Sequence, residues 1–153
     1  MATSIKINIF RGFKVQVTYT MRIMFTVSPR KCTGCRMCMM ACALSHSGQS
    51  NLILARIRIF ADEEKQMTRP VVCLNCESPA CMDACPTNAI YKDNGNVIID
   101  EAKCIGCTLC LQECPVKAIT INPITNKALK CDFCGGNPRC VEWCATNALT
   151  YIT

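Results

Sequence analysis

The chain has 153 residues, 16 of them cysteine, above the roughly 8–10% at which composition alone signals a cysteine scaffold. Without those thiols, the 50% hydrophobic share drops to about 39%, thin for a domain held by an apolar core alone. An ordinary globular enzyme domain is thereby excluded. The uncharged apolar runs also fall far short of the ~20 residues that a membrane span needs. The formal charge is +6 and uneven: residues 1–61 hold nine Lys or Arg and no acid, while the remainder holds eight basic against eleven acidic residues.

From the N-terminus, IKINIF at 5–10 and FKVQVTY at 13–19 flank Arg11 and Gly12 and predict a β-hairpin with an open edge. Lys6, Arg11, Lys14 and Arg22 are scattered here, with no compact apolar stretch before a small-residue cleavage site. The expected setting is therefore the reducing cytoplasm, where cysteine clusters ligate metal or do redox chemistry more often than they form disulfides.

The first thiol group is Cys32, Cys35, Cys38 and Cys42. Met37, Met39 and Met40 crowd it and are expected to pack over it. His46, the only histidine, follows Cys42 by four residues and is expected in a surface loop. LILARIRIF at 52–60 alternates as a strand would, with Arg56 and Arg58 on its polar face, and Asp62, Glu63 and Glu64 end it in a solvated loop.

The second group is Cys73, Cys76, Cys81 and Cys85; strands follow at 89–91 and 97–99 around a DNGN turn at 93–96. The third is Cys104, Cys107, Cys110 and Cys114, followed by a strand at 118–121 and a turn at 123–126. The fourth is Cys131, Cys134, Cys140 and Cys144, followed by a strand at 149–152. CPTNAI at 85–90, CPVKAI at 114–119 and CATNAL at 144–149 recur at steps of 29 and 30 residues, the mark of an internal repeat. In each copy the last cysteine closes a short helical stretch, which Pro86 and Pro115 interrupt in the first two.

Two groups read C-x2-C-x2-C-x3-C without deviation. The other two widen only the middle gap, to four and five residues. Three thiolates two residues apart on one tight loop reach three corners of an iron–sulfur cube, and a fourth about one helical turn later points toward a neighbouring cube. Zinc ribbons instead supply separated cysteine pairs. Each group has its fourth thiol, so no iron is left open to substrate, and single-electron transfer is the chemistry that remains. Four oxidised cubes would add about −8, bringing the loaded chain to about −2. The basic surplus then mostly offsets cluster charge, and nucleic-acid binding is not expected. Gly34 and Gly106 lie between the first two ligands of their groups, where Asn75 and Phe133 stand in the other two. That difference would stagger the potentials through hydrogen bonding and burial. Trp143 and Phe133 flank the fourth group and would shield it from water.

Residues 70–122 resemble a two-cluster bacterial ferredoxin. The resemblance implies one cube on Cys73, Cys76, Cys81 and Cys114 and its neighbour on Cys104, Cys107, Cys110 and Cys85. Residues 24–153 resemble the four-cluster electron-transfer subunits of molybdenum and tungsten enzymes, which implies a nested pairing: Cys32, Cys35 and Cys38 with Cys144, and Cys131, Cys134 and Cys140 with Cys42. The spacing equally allows two consecutive ferredoxins, groups one with two and three with four. RKCTGC at 30–35, ARIRI at 55–59, PVVC at 70–73, CMDACP at 81–86, KCIGC at 103–107 and KCDFCGG at 130–136 are together similar to the small polyferredoxin subunits of tungsten aldehyde oxidoreductases. Related subunits serve carbon monoxide dehydrogenases and hydrogenases. Ala145 stands where that family usually has Pro, and residues 1–23 match nothing in it.

The resemblance implies an α+β fold of nested or tandem ferredoxin modules, with short strands and helical turns around four [4Fe-4S] clusters. Its parts would be an N-terminal extension (1–23), an outer module (24–42 plus 123–153), an insertion (43–72) and an inner module (73–122). The implied function is a non-catalytic electron-transfer subunit of anaerobic metabolism. Its partners would be a tungsten or molybdenum pterin oxidoreductase and a carrier such as a ferredoxin or flavoprotein, or further copies of itself. The competing readings are an iron–sulfur subunit of a carbon monoxide dehydrogenase or hydrogenase complex, and a structural or oxygen-sensing iron–sulfur protein.

Overall fold

The computed structural model describes residues 24–64 and 67–152; the hairpin expected at 5–19 lies outside them. In chain order the elements are β1 (Met24–Val27), α1 (Met37–Ser47), β2 (Arg58–Asp62), β3 (Met67–Val71), α2 (Ala80–Asp83), β4 (Ile90–Asp93), β5 (Asn96–Ile99), α3 (Leu109–Glu113), β6 (Thr120–Ile121), β7 (Ala128–Leu129), α4 (Arg139–Glu142) and β8 (Leu149–Ile152). The strands form four separate two-stranded antiparallel ribbons, β1 with β8, β2 with β3, β4 with β5 and β6 with β7. None of the helices among the described residues is long and apolar enough to cross a membrane.

Both predicted turns form. Asn94 (φ 47°) and Gly95 (φ 82°) take the left-handed conformations of a tight hairpin between β4 and β5, the geometry that Asn-Gly favours. Between β6 and β7, Asn122 and Asn126 close the turn with a backbone N–H to C=O bond of 2.8 Å. The repeat also folds as read: α2, α3 and α4 are single turns that end at or just before the last cysteine of their groups, and strands β4, β6 and β8 follow.

One expected strand does not form as read. Leu52–Leu54 is a 3-10 turn capped by Asn51, whose side chain accepts the Ile53 N–H at 3.1 Å. β2 begins only at Arg58. The backbone N–H of Arg56 points to the Cys42 sulfur at 3.2 Å and so leaves the ladder. Leu54, Ala55 and Ile57 are all buried, which period-two alternation does not allow. Asn and Asp side chains compete with the ladder in this way where they can bond a nearby N–H.

β1 and β8 pair Val27 with Leu149 and Phe25 with Tyr151, and α1 packs against α4. The start of the first thiol group is thereby laid against the end of the fourth. The interior is largely sulfur: nine of the sixteen cysteines are buried, and they form one continuous cluster with Ile57, Val72, Val97, Ile119 and Leu149.

Gly106 (φ +71°) passes against the β6–β7 turn so closely that a Cβ would sit 2.1 Å from the backbone oxygen of Asn126. Gly106→Ala is expected to cost about 2–4 kcal/mol, because both the dihedral and a backbone contact are violated. At Gly48 (φ +68°) a Cβ would meet nothing within 4 Å, so Gly48→Ala should cost only about 1 kcal/mol for its dihedral. Thermal unfolding followed by circular dichroism should rank the two variants in that order.

Candidate iron–sulfur centres

Each group starts with Cys-x-x-Cys, and the residue before the second cysteine has positive φ in all four: Gly34 72°, Asn75 50°, Gly106 71° and Phe133 55°. The loop imposes this conformation whatever the side chain. Its effect is visible where Asn75 and Phe133 donate their N–H groups to the sulfurs of Cys73 (3.3 Å) and Cys131 (3.4 Å). Such donors favour the thiolate over the thiol.

The surroundings of those two residues differ. Asn75 donates through Nδ2 to Gly95 O and Asn96 Oδ1, and its Oδ1 accepts the Val97 N–H, so β4–β5 holds this loop. Phe133 is buried and stacks on Phe25 at 5.7 Å, with Tyr151 at 6.0 Å.

The fourth cysteines share a second device. Asn88 (φ 50°), Lys117 (φ 53°) and Asn147 (φ 51°) turn the chain left-handed three residues after Cys85, Cys114 and Cys144. The next residue, Ala89 or Ala118, donates its N–H to the Cys85 or Cys114 sulfur at 3.3 and 3.4 Å, and the backbone N–H groups of Leu149, Ala148 and Thr146 favour the Cys144 thiolate. These alanines are 1–2% exposed, so the N–H groups reach sulfur without competition from water. Thr87 and Thr146 add hydroxyls 3.7 and 3.8 Å from Cys85 and Cys144. Burial pushes both thiols up, but the hydroxyl and backbone donors outweigh it and hold both below the ordinary thiol value. Cys42 departs from this pattern: it lies inside α1 and takes its donor from Arg56.

The remaining thiols are governed by burial and by one another. Burial pushes Cys38 up to about 12, opposed by the Met39 N–H and reinforced by Cys32, Cys35 and Cys144. Cys110 rises to about 11 through burial, then Cys104, Cys107, Cys81 and Cys85. Cys81 rises through burial and through Cys73, Cys114 and Cys76. Cys140 is raised by burial, then by Cys131, Cys42, Cys134 and Cys38. Cys131, pushed up to about 12 by burial, also feels Cys42 and Cys73. Two concave surfaces collect thiols from different motifs, one lined by Cys85, Cys104, Cys107 and Cys110, the other by Cys32, Cys35, Cys38 and Cys144.

None of the sixteen cysteines is in a disulfide. Buried thiols raised by one another's charge cannot all ionise without a cation among them, and a metal supplies it while taking thiolate as its ligand. A donor set of thiols alone, met by backbone N–H groups at sulfur, fits an iron–sulfur group.

His46 is not in a surface loop. It stands on α1 with its side chain 14% exposed; Nδ1 donates to the Cys42 carbonyl at 2.9 Å, and Nε2 lies 3.0 Å from Asp132 Oδ1. Arg56 Nη1 donates to Asp132 Oδ2 at 2.6 Å, and the Cys134 N–H reaches Asp132 Oδ1 at 2.9 Å. Asp132, then Cys134 and Cys42, push the imidazole up to about 12 against the opposing effect of burial. Burial pushes Asp132 up, but His46, the Cys134 N–H and Arg56 outweigh it and hold the carboxyl well below the usual carboxylate range. Lys130 is likewise buried, donating to the carbonyls of Val97 and Cys131. Local pattern finds neither the His46–Asp132 contact, which spans 86 positions, nor the Lys130–Val97 contact, which spans 33. Trp143 is 42% exposed and lines the concavity of Cys32, Cys35, Cys38 and Cys144. Met39 is buried, whereas Met37 is 44% exposed.

Asp132→Ala would leave the Cys134 N–H without its acceptor and take from His46 and Arg56 the carboxylate that joins them to this loop, weakening it by about 2 kcal/mol. Iron release from loaded protein to a chelator is expected to become biphasic, with one fraction of the iron leaving about tenfold faster.

Comparison with known proteins gives the same chemistry from an independent direction. The chain is 41% identical over 125 residues to the aliphatic sulfonate oxidoreductase, polyferredoxin-like subunit, of Pyrococcus furiosus, covering 80% of this chain and 72% of that one. It is 36% identical over 137 residues to the thiosulfate reductase electron transfer subunit PhsB of Salmonella typhi, covering 80% and 71%. Among solved structures, the active site complex BamBC of benzoyl coenzyme A reductase shares the fold, with a TM-score of 0.53 at 23% identity over 86% of this chain and 78% of that one. Residues 65–152, which carry three of the four thiol groups, match the 4Fe-4S dicluster domain, and the chain belongs to that family.

Proposed function

We propose that this chain is the electron-transfer subunit of a larger oxidoreductase and holds four [4Fe-4S] clusters. The proposed ligand sets are Cys32, Cys35, Cys38 and Cys144; Cys131, Cys134, Cys140 and Cys42; Cys73, Cys76, Cys81 and Cys114; and Cys104, Cys107, Cys110 and Cys85. The observation that carries the reading is the sorting of the thiols. Cys38, Cys140, Cys81 and Cys110 each feel the other three members of their set, and no thiol is left over. A fully thiolate-held cluster supplies one-electron storage and release, with no iron open to substrate.

The protein's part is to hold and shield. Burial of nine thiols keeps water from the sulfurs, and backbone N–H groups at Cys73, Cys85, Cys114 and Cys131 are in place for charge on sulfur before any arrives. Electrostatic influence between sets supports a file. Cys140 feels Cys38, Cys131 feels Cys73, and Cys110 feels Cys81. The order is then the Cys32 set, the Cys131 set, the Cys73 set and the Cys104 set. The two exposed cysteines, Cys35 and Cys107, belong to the two ends. Partner proteins would dock there, Trp143 and Met37 lying at one end and Ile105 and Leu109 at the other.

Resemblance to the small subunits of tungsten aldehyde oxidoreductases makes the proposed catalytic partner a tungsten or molybdenum pterin enzyme. The carrier would be a ferredoxin or flavoprotein, and the setting cytoplasmic. The named relatives, an oxidoreductase subunit and a thiosulfate reductase electron transfer subunit, support the same division of labour.

Protein purified without oxygen is expected to be brown, with iron and acid-labile sulfide each near 16 atoms per chain, and to carry electrons from a co-purifying catalytic subunit to an added carrier. Colourless, zinc-loaded material would refute the reading. Stripping the iron should also abolish the cooperative unfolding transition, because the interior is built from the ligands.

A further inference from the structure

Lys130 is the one charged residue buried among the described residues, at 4% exposure. It directly precedes Cys131. Its ammonium donates to the carbonyl of Cys131 at 3.0 Å and to that of Val97 on β5. Both acceptors are neutral. Val97 in turn donates its N–H to Asn75, in the loop between Cys73 and Cys76, and the positive charge of Lys130 is felt at Cys81. The side chain thus runs from the backbone of the Cys131 set to the neighbourhood of the Cys73 set. Cys73 acts electrostatically on Cys131 across the gap between the two sets, and both sets lie inside the file proposed above.

A buried ammonium held only by carbonyl dipoles is costly in an interior with no anion. Next to thiolate-ligated iron–sulfur groups the cost reverses, since each such group carries negative charge that grows by one on reduction. Burial by itself disfavours that extra charge and would leave the inner sites harder to reduce than the ends, where Cys35 and Cys107 meet water. A fixed cation in the dry interior opposes this more strongly than a surface cation could.

We propose that Lys130 is the counter-cation of the two inner clusters, raising both of their reduction potentials toward those of the exposed outer pair. The inference rests on the four-cluster reading and adds to it the means by which the buried half of the file stays reducible.

The test is an anaerobic redox titration of the full, iron-loaded chain, each cluster followed by electron paramagnetic resonance, for wild type, Lys130→Met, Lys130→Gln and Lys130→Arg. The glutamine keeps a donor without the charge, and the arginine keeps the charge. In the neutral variants the reduced-to-oxidised ratio of two clusters should fall about tenfold at fixed poise, ~59 mV for a one-electron couple. The other two clusters should stay put, and Lys130→Arg should titrate like wild type. Loss of iron from both neutral variants, with full loading of Lys130→Arg, would also support the charge role. Unmoved potentials, an equal shift of all four, or loss of iron from all three variants would overturn it. A wild-type chain that fails to load near sixteen irons would instead overturn the four-cluster reading, and this inference with it.

Discussion

Sixteen free thiols, nine of them buried, set the terms on which this chain folds, since a thiol must be ionised before it can hold metal. Burying an anion is unfavourable unless charge and hydrogen bonds compensate it on the spot. The compensation is built into the backbone. Left-handed residues at Asn75, Phe133, Asn88, Lys117 and Asn147 coincide with N–H groups aimed at sulfur in the two Cys-x-x-Cys loops and after the three fourth cysteines. Strain of this sort persists only where the surroundings over-determine it, and here the same turn recurs whatever the side chain.

Repetition of that unit explains why much of the fold is legible in the sequence. The CPTNAI-type segments each encode a helical turn, a left-handed residue, an N–H to sulfur and a buried apolar pair that starts a strand. All of these are interactions within about six residues, so cysteine spacing and turn chemistry locate them. The β4–β5 hairpin is legible for the same reason, since Asn94 and Gly95 carry its geometry themselves.

The first group does not follow the unit, and there local reading fails. Cys42 lies mid-helix with no following turn to supply an N–H, and Arg56 supplies it from 14 positions away. That bond, with the Asn51-capped turn before it, keeps residues 52–57 out of the ladder that their alternation suggests. His46, Asp132 and Arg56 then tie this segment to the fourth group's loop, and β1 pairs with β8 across the length of the chain. No short window of sequence contains both partners of these last contacts, so composition and period are silent about them.

The same contacts bear on the uneven charge. A surplus of basic residues invites a nucleic-acid reading when counted along the sequence, but several of these side chains are turned inward. Arg56 and His46 meet Asp132 beside Cys134; Lys127 donates to the Cys104 carbonyl, and Lys130 to that of Cys131. A cation that binds phosphate must offer its donors to solvent, and these spend theirs on backbone and carboxylate next to thiol groups. The distribution is that of a protein whose counter-ions are part of its interior, as a chain built around anionic sulfur requires.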